Sequence, residues 1–162
     1  MAGLAALEVF QVFLVGLVAG EEFIVRFGLH PAMSALPDLA HLQARVALVK
    51  RMKYVVPLIM VPAFVASVVL LVAAGGAPGF AWRVGGLAAF TAYLLFSLFG
   101  TVPINMKVND WDPVQPPADW QAIVARWTRI DTLRSGAAIL AFALFATALA
   151  VQISLAEPSG CG

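Results

Sequence analysis

A chain of 162 residues that is 62% hydrophobic and 12% charged, with a mean hydropathy of +0.92, is an integral membrane protein rather than a soluble domain. Its formal charge of +1, without a basic run, excludes a nucleic-acid-binding surface. A single cysteine, Cys161, excludes an internal disulfide and a cysteine metal cluster.

Four segments are apolar enough to cross about 30 Å of hydrocarbon, near Leu4 to Phe27, Tyr54 to Ala74, Ala81 to Val102 and Gly136 to Ala156. The expected fold is all-α: an antiparallel bundle of four transmembrane helices with partly helical connections, one domain over residues 1–157 and a disordered tail at 158–162. The start MAGLAALEVF has an acid where a signal peptide has basic residues, so the first helix is expected to be retained. Gly75-Gly76-Ala77-Pro78-Gly79 predicts a tight turn that makes spans two and three a hairpin.

On the first helix, Glu8, Gln11, Glu22 and Arg26 fall within about 60° of one another, with Val15 and Val18 on the same stripe and Glu21 pointing elsewhere. Charged side chains at membrane depth cost about 2.5–3.5 kcal/mol each, so they face a bundle interior or water and pair up. Glu22 and Arg26 stand at i and i+4 in the order that favours a pair, and Glu8 is expected at a wet mouth. A seat at the membrane interface explains Glu21, Glu22 and Arg26 equally well.

His30 precedes Pro31 and is biased away from helix, and Asp38 is expected to cap the next helix. There His41, Arg45, Leu48 and Met52 share a face, while Lys50, Arg51 and Lys53 point away to lipid headgroups. Pro57 and Pro62 should bend the second span, and such bends often open a cavity. Ser97, Thr101 and Asn105, at successive i+4 steps, are the kind of small polar residues that hold membrane helices together.

The long polar insertion from Pro103 to Ser135 holds three of the four tryptophans. With Asp119 as N-cap, a helix places Val124, Trp127, Asp131 and Arg134 within about 40° of Trp120, with Arg126 and Arg129 opposite. Either this helix anchors the chain at the headgroups, or its inner stripe walls a pocket. Nine of ten Lys and Arg lie near the one–two and three–four connections, and only Arg83 lies at the other end. The positive-inside rule then puts both connections in the cytoplasm and both termini outside, in the bacterial inner membrane.

No recognised metal-ligand spacing, Gly-rich nucleotide loop or activated Ser or Cys nucleophile is present, so no metal site is assigned. The cofactor stays open between none and a non-haem iron, for which His30, His41, Glu22, Asp131 and Asp110 are the available donors. The remaining polar groups near one membrane face suit a flat, apolar molecule bearing phenolic or carbonyl oxygens. His41 or Asp131 would take a proton and Arg45 or Arg134 would stabilise an enolate. Glu22, Arg26, Asn105, Trp120, Trp127 and Met52 would line the pocket.

The stretches VRFGLHPAMSALPD, RMKYVVPLIM, VPINMKVNDWDP and ADWQAIVARWTRIDTLRS together resemble the anthrone-oxygenase-like family of small four-helix membrane proteins. Pro103, Asn105, Trp111, Trp120, Arg126, Trp127 and Arg134 carry the resemblance, which covers nearly the whole chain. It implies oxidation of a lipophilic, polyketide-like aromatic without an obvious cofactor. The family usually has a histidine four residues after the tryptophan matched by Trp127, and here Asp131 stands there. Two readings follow. One is an oxygenase-like enzyme with its pocket near the cytoplasmic face. The other is a non-catalytic small subunit or scaffold whose polar residues hold helices or bind a partner. The expected partners are the bilayer and a lipophilic aromatic molecule. Transport is a minor alternative, for which so small a chain would have to act as a homo-oligomer.

Overall fold

The computed structural model describes residues 2–156, so the expected disordered tail at 158–162 lies outside the described residues. Helix α1 (Ala2–Ile24) runs into a π-helical turn, Val25–Leu29, and then α2 (His30–Ser34). After a three-residue break comes α3 (Asp38–Ala73), and a glycine turn leads to α4 (Phe80–Phe96). A second π-helical turn, Ser97–Thr101, joins α4 to α5 (Val102–Asn109). Residues 110–119 then lead into α6 (Trp120–Ala156). The four rods Gly3–Ser34, Asp38–Ala73, Phe80–Asn109 and Trp120–Leu155 are each long and apolar enough to cross a membrane. Helix is the form that satisfies every backbone group within its own segment in lipid, which is why apolar sequence of this length adopts it.

The connections are partly helical, as expected, through α2, α5 and the polar starts of α3 and α6. Helix α3 is 36 residues long and α6 is 37, so the polar stretch of each is continuous with its span. At 1.5 Å per residue each is roughly 54 Å long, well beyond a hydrocarbon core of about 30 Å. Helix α3 continues unbroken through Pro57 and Pro62. The predicted turn is present: Gly76 and Gly79 have φ of 74° and 83°, and a Cβ at Gly79 would stand 2.7 Å from the Ala148 carbonyl oxygen. That position requires glycine on both counts.

Helices α4 and α6 pack most closely, α1 packs on both α6 and α3, and α3 meets α4 and α5 only sparsely. Two apolar clusters result. Val15, Val18, Ala63, Phe90, Tyr93, Ala138 and Phe145 fill one, and Val25, Val46, Val49, Ile104, Val108 and Trp127 fill the other. On α1 and α6 the residues between the clusters are charged: Glu22 lies between Val18 and Val25, and Asp131 and Arg134 lie between Trp127 and Ala138.

Several local expectations are corrected. Arg26 does not pair with Glu22. In the turn Val25–Leu29 the His30 N–H bonds to the Val25 carbonyl, five residues back, and the added residue puts Val25 on the inner stripe. Arg26 lies instead against the Phe27 ring, 5.8 Å from its centroid. His30 is helical despite preceding proline, because Pro31 occupies the first turn of α2, where a missing N–H costs little. Asp38 is the first residue of α3 rather than its cap, and there its charge favours the positive end of the helix dipole. Glu8 is not wet: it is buried and pairs with Arg83 at 2.5 Å.

That end of the bundle is closed by polar contacts between helices. Arg83 donates to Glu8 Oε1, to Gln152 Oε1 and to the Pro78 carbonyl at 3.0 Å, and Gln11 Nε2 donates to Ser67 Oγ at 3.0 Å. Each buried donor thereby gains an acceptor on another element.

Candidate functional site

At the opposite end, α6 presents Trp127, Asp131 and Arg134 at three- and four-residue steps on its inner face. The Arg134 guanidinium holds two carboxylates. Its Nη2 is 2.9 Å from Glu22 Oε1 on α1 and 3.1 Å from Asp131 Oδ1, and its Nε donates to that same Asp131 oxygen at 3.3 Å. The Ser135 hydroxyl donates to the Asp131 backbone carbonyl at 2.7 Å, and its oxygen lies 3.3 Å from Glu22 Oε2. The Arg134 Cζ stands 5.8 Å from the centre of the Tyr93 ring. Fully buried acids need such partners, because an unpaired charge in a low dielectric is far costlier than a paired one.

A second cation, Arg45 on α3, is set by a different group of residues. Its Nε donates to His41 Nε2 at 3.2 Å, one turn back, and its Cζ lies 5.1 Å from the centre of the Trp127 indole. His41 packs edge-on against Trp120 at 5.5 Å. His30 stacks parallel to Trp127 at 6.0 Å, and its Nε2 is 2.8 Å from Thr128 Oγ1. Trp127 is thus gripped by an imidazole and a guanidinium together.

Between α3 and the α4–α5 rod lies a cavity of about 610 Å³. Its wall is largely apolar, with Val25, Met33, Leu48, Val49, Met52, Val56, Met60, Leu98, Val102 and Met106 among its members. The chain has five methionines, and the four among the described residues, Met33, Met52, Met60 and Met106, all line this one space. Unbranched thioethers adapt to irregular flat shapes and pack well against aromatic rings. Both π-helical turns border it, through Val25, Ser97, Leu98 and Thr101. Such turns occur often at functional sites, since they break the helix ladder and re-aim side chains. The Ser97–Thr101 turn also lies close to α6, where a Cβ on Gly100 would stand 2.5 Å from Ile130 Cγ2.

Four polar residues in this wall carry buried atoms that find no hydrogen-bond partner among the described residues. They are Arg45 Nη2, Trp127 Nε1, Glu21 Oε2 and Asn105 Oδ1. Two are donors and two are acceptors. A buried polar atom without a partner costs on the order of 1–3 kcal/mol, so four around one cavity describe a space shaped for a molecule with both kinds of group.

Of the ten residues expected at a site, Arg45, Arg134, Asn105, Trp127 and Met52 line the cavity. Glu22 and Asp131 are buried and hold Arg134 from outside the lining, His41 holds Arg45 in the same way, and Trp120 lies against His41. Arg26 is in none of these contacts. Glu21 was expected to point elsewhere, yet it lines the cavity beside Val25. Ser97 and Thr101 do not hydrogen-bond between helices: their hydroxyls donate to the Tyr93 and Ser97 carbonyls on their own rod, and both residues line the cavity. Among the described residues no group of three or more His, Cys, Asp or Glu could hold a metal ion.

No curated protein and no solved structure matches the chain. A sequence model of the family described as Anthrone oxygenase matches residues 46–144, more than half of the chain, including Asn105, Trp127, Asp131 and Arg134 but neither Arg45 nor the Glu21–Glu22 pair. A four-span helical bundle with this match belongs to the anthrone oxygenase family.

Proposed function

We propose that this integral membrane protein, acting as one membrane domain, binds a flat, lipophilic aromatic ketone of the anthrone class in the 610 Å³ cavity and oxidises it with dioxygen. The observation that carries the reading is the set of four partnerless polar atoms on an otherwise apolar wall. Arg45 Nη2 and Trp127 Nε1 are donors suited to a carbonyl oxygen, and they gain strength as that oxygen becomes an enolate. Glu21 Oε2 is the acceptor suited to take a proton, and Asn105 Oδ1 suits a phenolic hydroxyl. Asp131, engaged by Arg134, has the role of a positioning residue, as do Glu22 and His41.

The chemistry balances without a further reductant. Removal of one methylene proton gives a carbanion delocalised into the ketone. The carbanion passes its electrons to dioxygen and a carbon–oxygen bond forms, giving a hydroperoxide once protonated. Loss of the second methylene hydrogen as a proton, with cleavage of the O–O bond, leaves a new carbonyl and releases water. The protein then supplies a dry space, a base and oxyanion donors.

The exposed Lys50, Arg51, Lys53, Lys107, Arg126 and Arg129 support a cytoplasmic placement of the cavity end in the bacterial inner membrane, with both termini outside. The test is oxygen uptake and anthraquinone absorbance on protein in lipid nanodiscs. Turnover above the buffer rate that falls in Glu21→Gln and Arg45→Met is the expected result. Well-folded protein that leaves the buffer rate unchanged overturns the reading. It favours the second one, a non-catalytic subunit or scaffold, for which the Glu8–Arg83–Gln152 and Gln11–Ser67 contacts are the supporting observation.

A further inference from the structure

The cavity is closed and open on different sides. At its polar end Lys53 Nζ on α3 donates to Asn109 Oδ1 on α5 at 3.3 Å, and both residues line the space. Away from that contact the lip is apolar. Leu98, Val102 and Met106 succeed one another at four-residue steps along the α4–α5 rod, and Pro57 borders the space from α3. Each lines the cavity and keeps accessible surface: Leu98 is 52%, Val102 39% and Met106 67% exposed. Leu98, Val102 and Pro57 sit within segments apolar enough to cross the hydrocarbon, so the medium that meets their exposed surface is lipid, while Met106 lies one turn beyond, beside Lys107, toward the headgroups. The gap coincides with the sparsest packing between neighbouring rods, that of α3 with the α4–α5 rod.

We infer that the cavity is loaded sideways from the bilayer, through the seam between α3 and the α4–α5 rod, by a membrane-dissolved aromatic whose oxygen-bearing end travels inward to Arg45. This rests on the proposed reading for the identity of the occupant, while the seam itself rests on geometry alone. The Lys53–Asn109 contact acts as the strap that closes the water-facing end. Access from lipid suits an apolar aromatic, because its concentration in the hydrocarbon far exceeds that in water. It also keeps water from a site whose carbanion would otherwise be reprotonated.

The test uses the full chain in nanodiscs with Cys161→Ser and Thr101→Cys, which places one thiol at a position that is 0% exposed yet lines the cavity. Two maleimides are compared, a pyrene maleimide that dissolves in lipid and a sulfonated one confined to water. The expected result is labelling at least about ten-fold faster by the lipid-soluble reagent, cut at least about five-fold when Leu98→Trp fills the lip, since access controls the rate of a buried thiol. Equal rates for the two reagents, no reaction with either, or indifference to Leu98→Trp overturns sideways loading. Serine at position 97 gives a second reporter, Ser97→Cys, should Thr101→Cys fail to fold. Anthrone added without oxygen should protect the thiol. Lipid-side labelling that anthrone does not slow leaves the seam standing and overturns the choice of occupant.

Discussion

Arg134 on α6 and Glu22 on α1 form an ion pair of 2.9 Å between helices at the level where the two apolar clusters meet. The same guanidinium holds Asp131 at 3.1 Å, so one cation anchors two buried carboxylates from two helices. Breaking a buried pair by removing one partner costs about 3–5 kcal/mol, because the other charge stays behind without compensation. Arg134→Met should lose stability on that scale in thermal unfolding of detergent-solubilised protein, and Glu22→Gln should lose less, since the amide is neutral. A loss below about 0.5 kcal/mol for Arg134→Met, the level of a surface substitution, would mean that the cluster does not hold these helices together.

The other end of the bundle separates stability from function. Glu8 and Arg83 are as buried as the Arg134 cluster and are paired at 2.5 Å, but neither lines the large cavity. Glu8→Ala should therefore destabilise by about 3 kcal/mol through the stranded Arg83, while the folded fraction keeps its ligand affinity and turnover. A loss of affinity matching that of a cavity-wall variant would show that the two ends are coupled.

Much of this arrangement is legible in the sequence, and the failures have identifiable causes. The four spans follow from apolar length, and the stripe of Val124, Trp127, Asp131 and Arg134 follows from the 3.6-residue period, which α6 keeps throughout. On α1 the same reasoning holds for Glu8, Gln11, Val15, Val18 and Glu22, then fails at Arg26, where the π-helical turn breaks the period. Glu21 is missed for a related reason: a phase that assigns one inner stripe leaves no place for a second side chain on a cavity wall. The Glu8–Arg83 pair is missed because helical phase says which residues of one helix share a face, not which residue of another helix meets them. Of the four methionines on the cavity wall, only Met52 is expected there from the sequence. Met33, Met52, Met60 and Met106 fall at the ends of the spans facing the two polar connections, but thioethers carry no chemical signature that separates a pocket from a core.

Glu21 and Asp131 give opposite signatures if the proposed function holds. Glu21 Oε2 lines the cavity without a partner, whereas Asp131 is bound by Arg134. A positioned base contributes roughly 10²–10⁴-fold, so Glu21→Gln should lower turnover on that scale with little change in unfolding temperature. Asp131→Asn should act chiefly on stability. Steady-state oxygen uptake beside thermal unfolding for both variants decides the assignment, and the reverse pattern would return the base to Asp131.

Gly100 tests whether the second π-helical turn must lie against α6. A methyl at this position would stand 2.5 Å from Ile130 Cγ2, closer than packed carbons tolerate. Gly100→Ala should cost about 1–3 kcal/mol, the range for overpacking, and Ile130→Ala in the same chain should recover part of it. An additive loss in the double variant would mean that the backbone shifts freely and the close approach is not needed.

Arg45 is the residue whose chemistry is hardest to replace. One guanidinium donates to His41 through Nε, lies over the Trp127 ring and leaves Nη2 on the cavity wall. A lysine ammonium is a compact point charge on a flexible stem, without the planar fork that allows all three at once. Arg45→Lys keeps the charge, so a site that needs only positive potential would keep its affinity. A site that needs a directed donor should lose about 1.5–3 kcal/mol, roughly ten- to a hundred-fold in the dissociation constant for anthrone measured without oxygen. Trp127→Phe complements this test, because it keeps a ring beneath the guanidinium and removes only the Nε1 donor. A loss in both variants identifies a carbonyl held by two convergent donors, and a loss in Arg45→Lys alone assigns the recognition to the guanidinium.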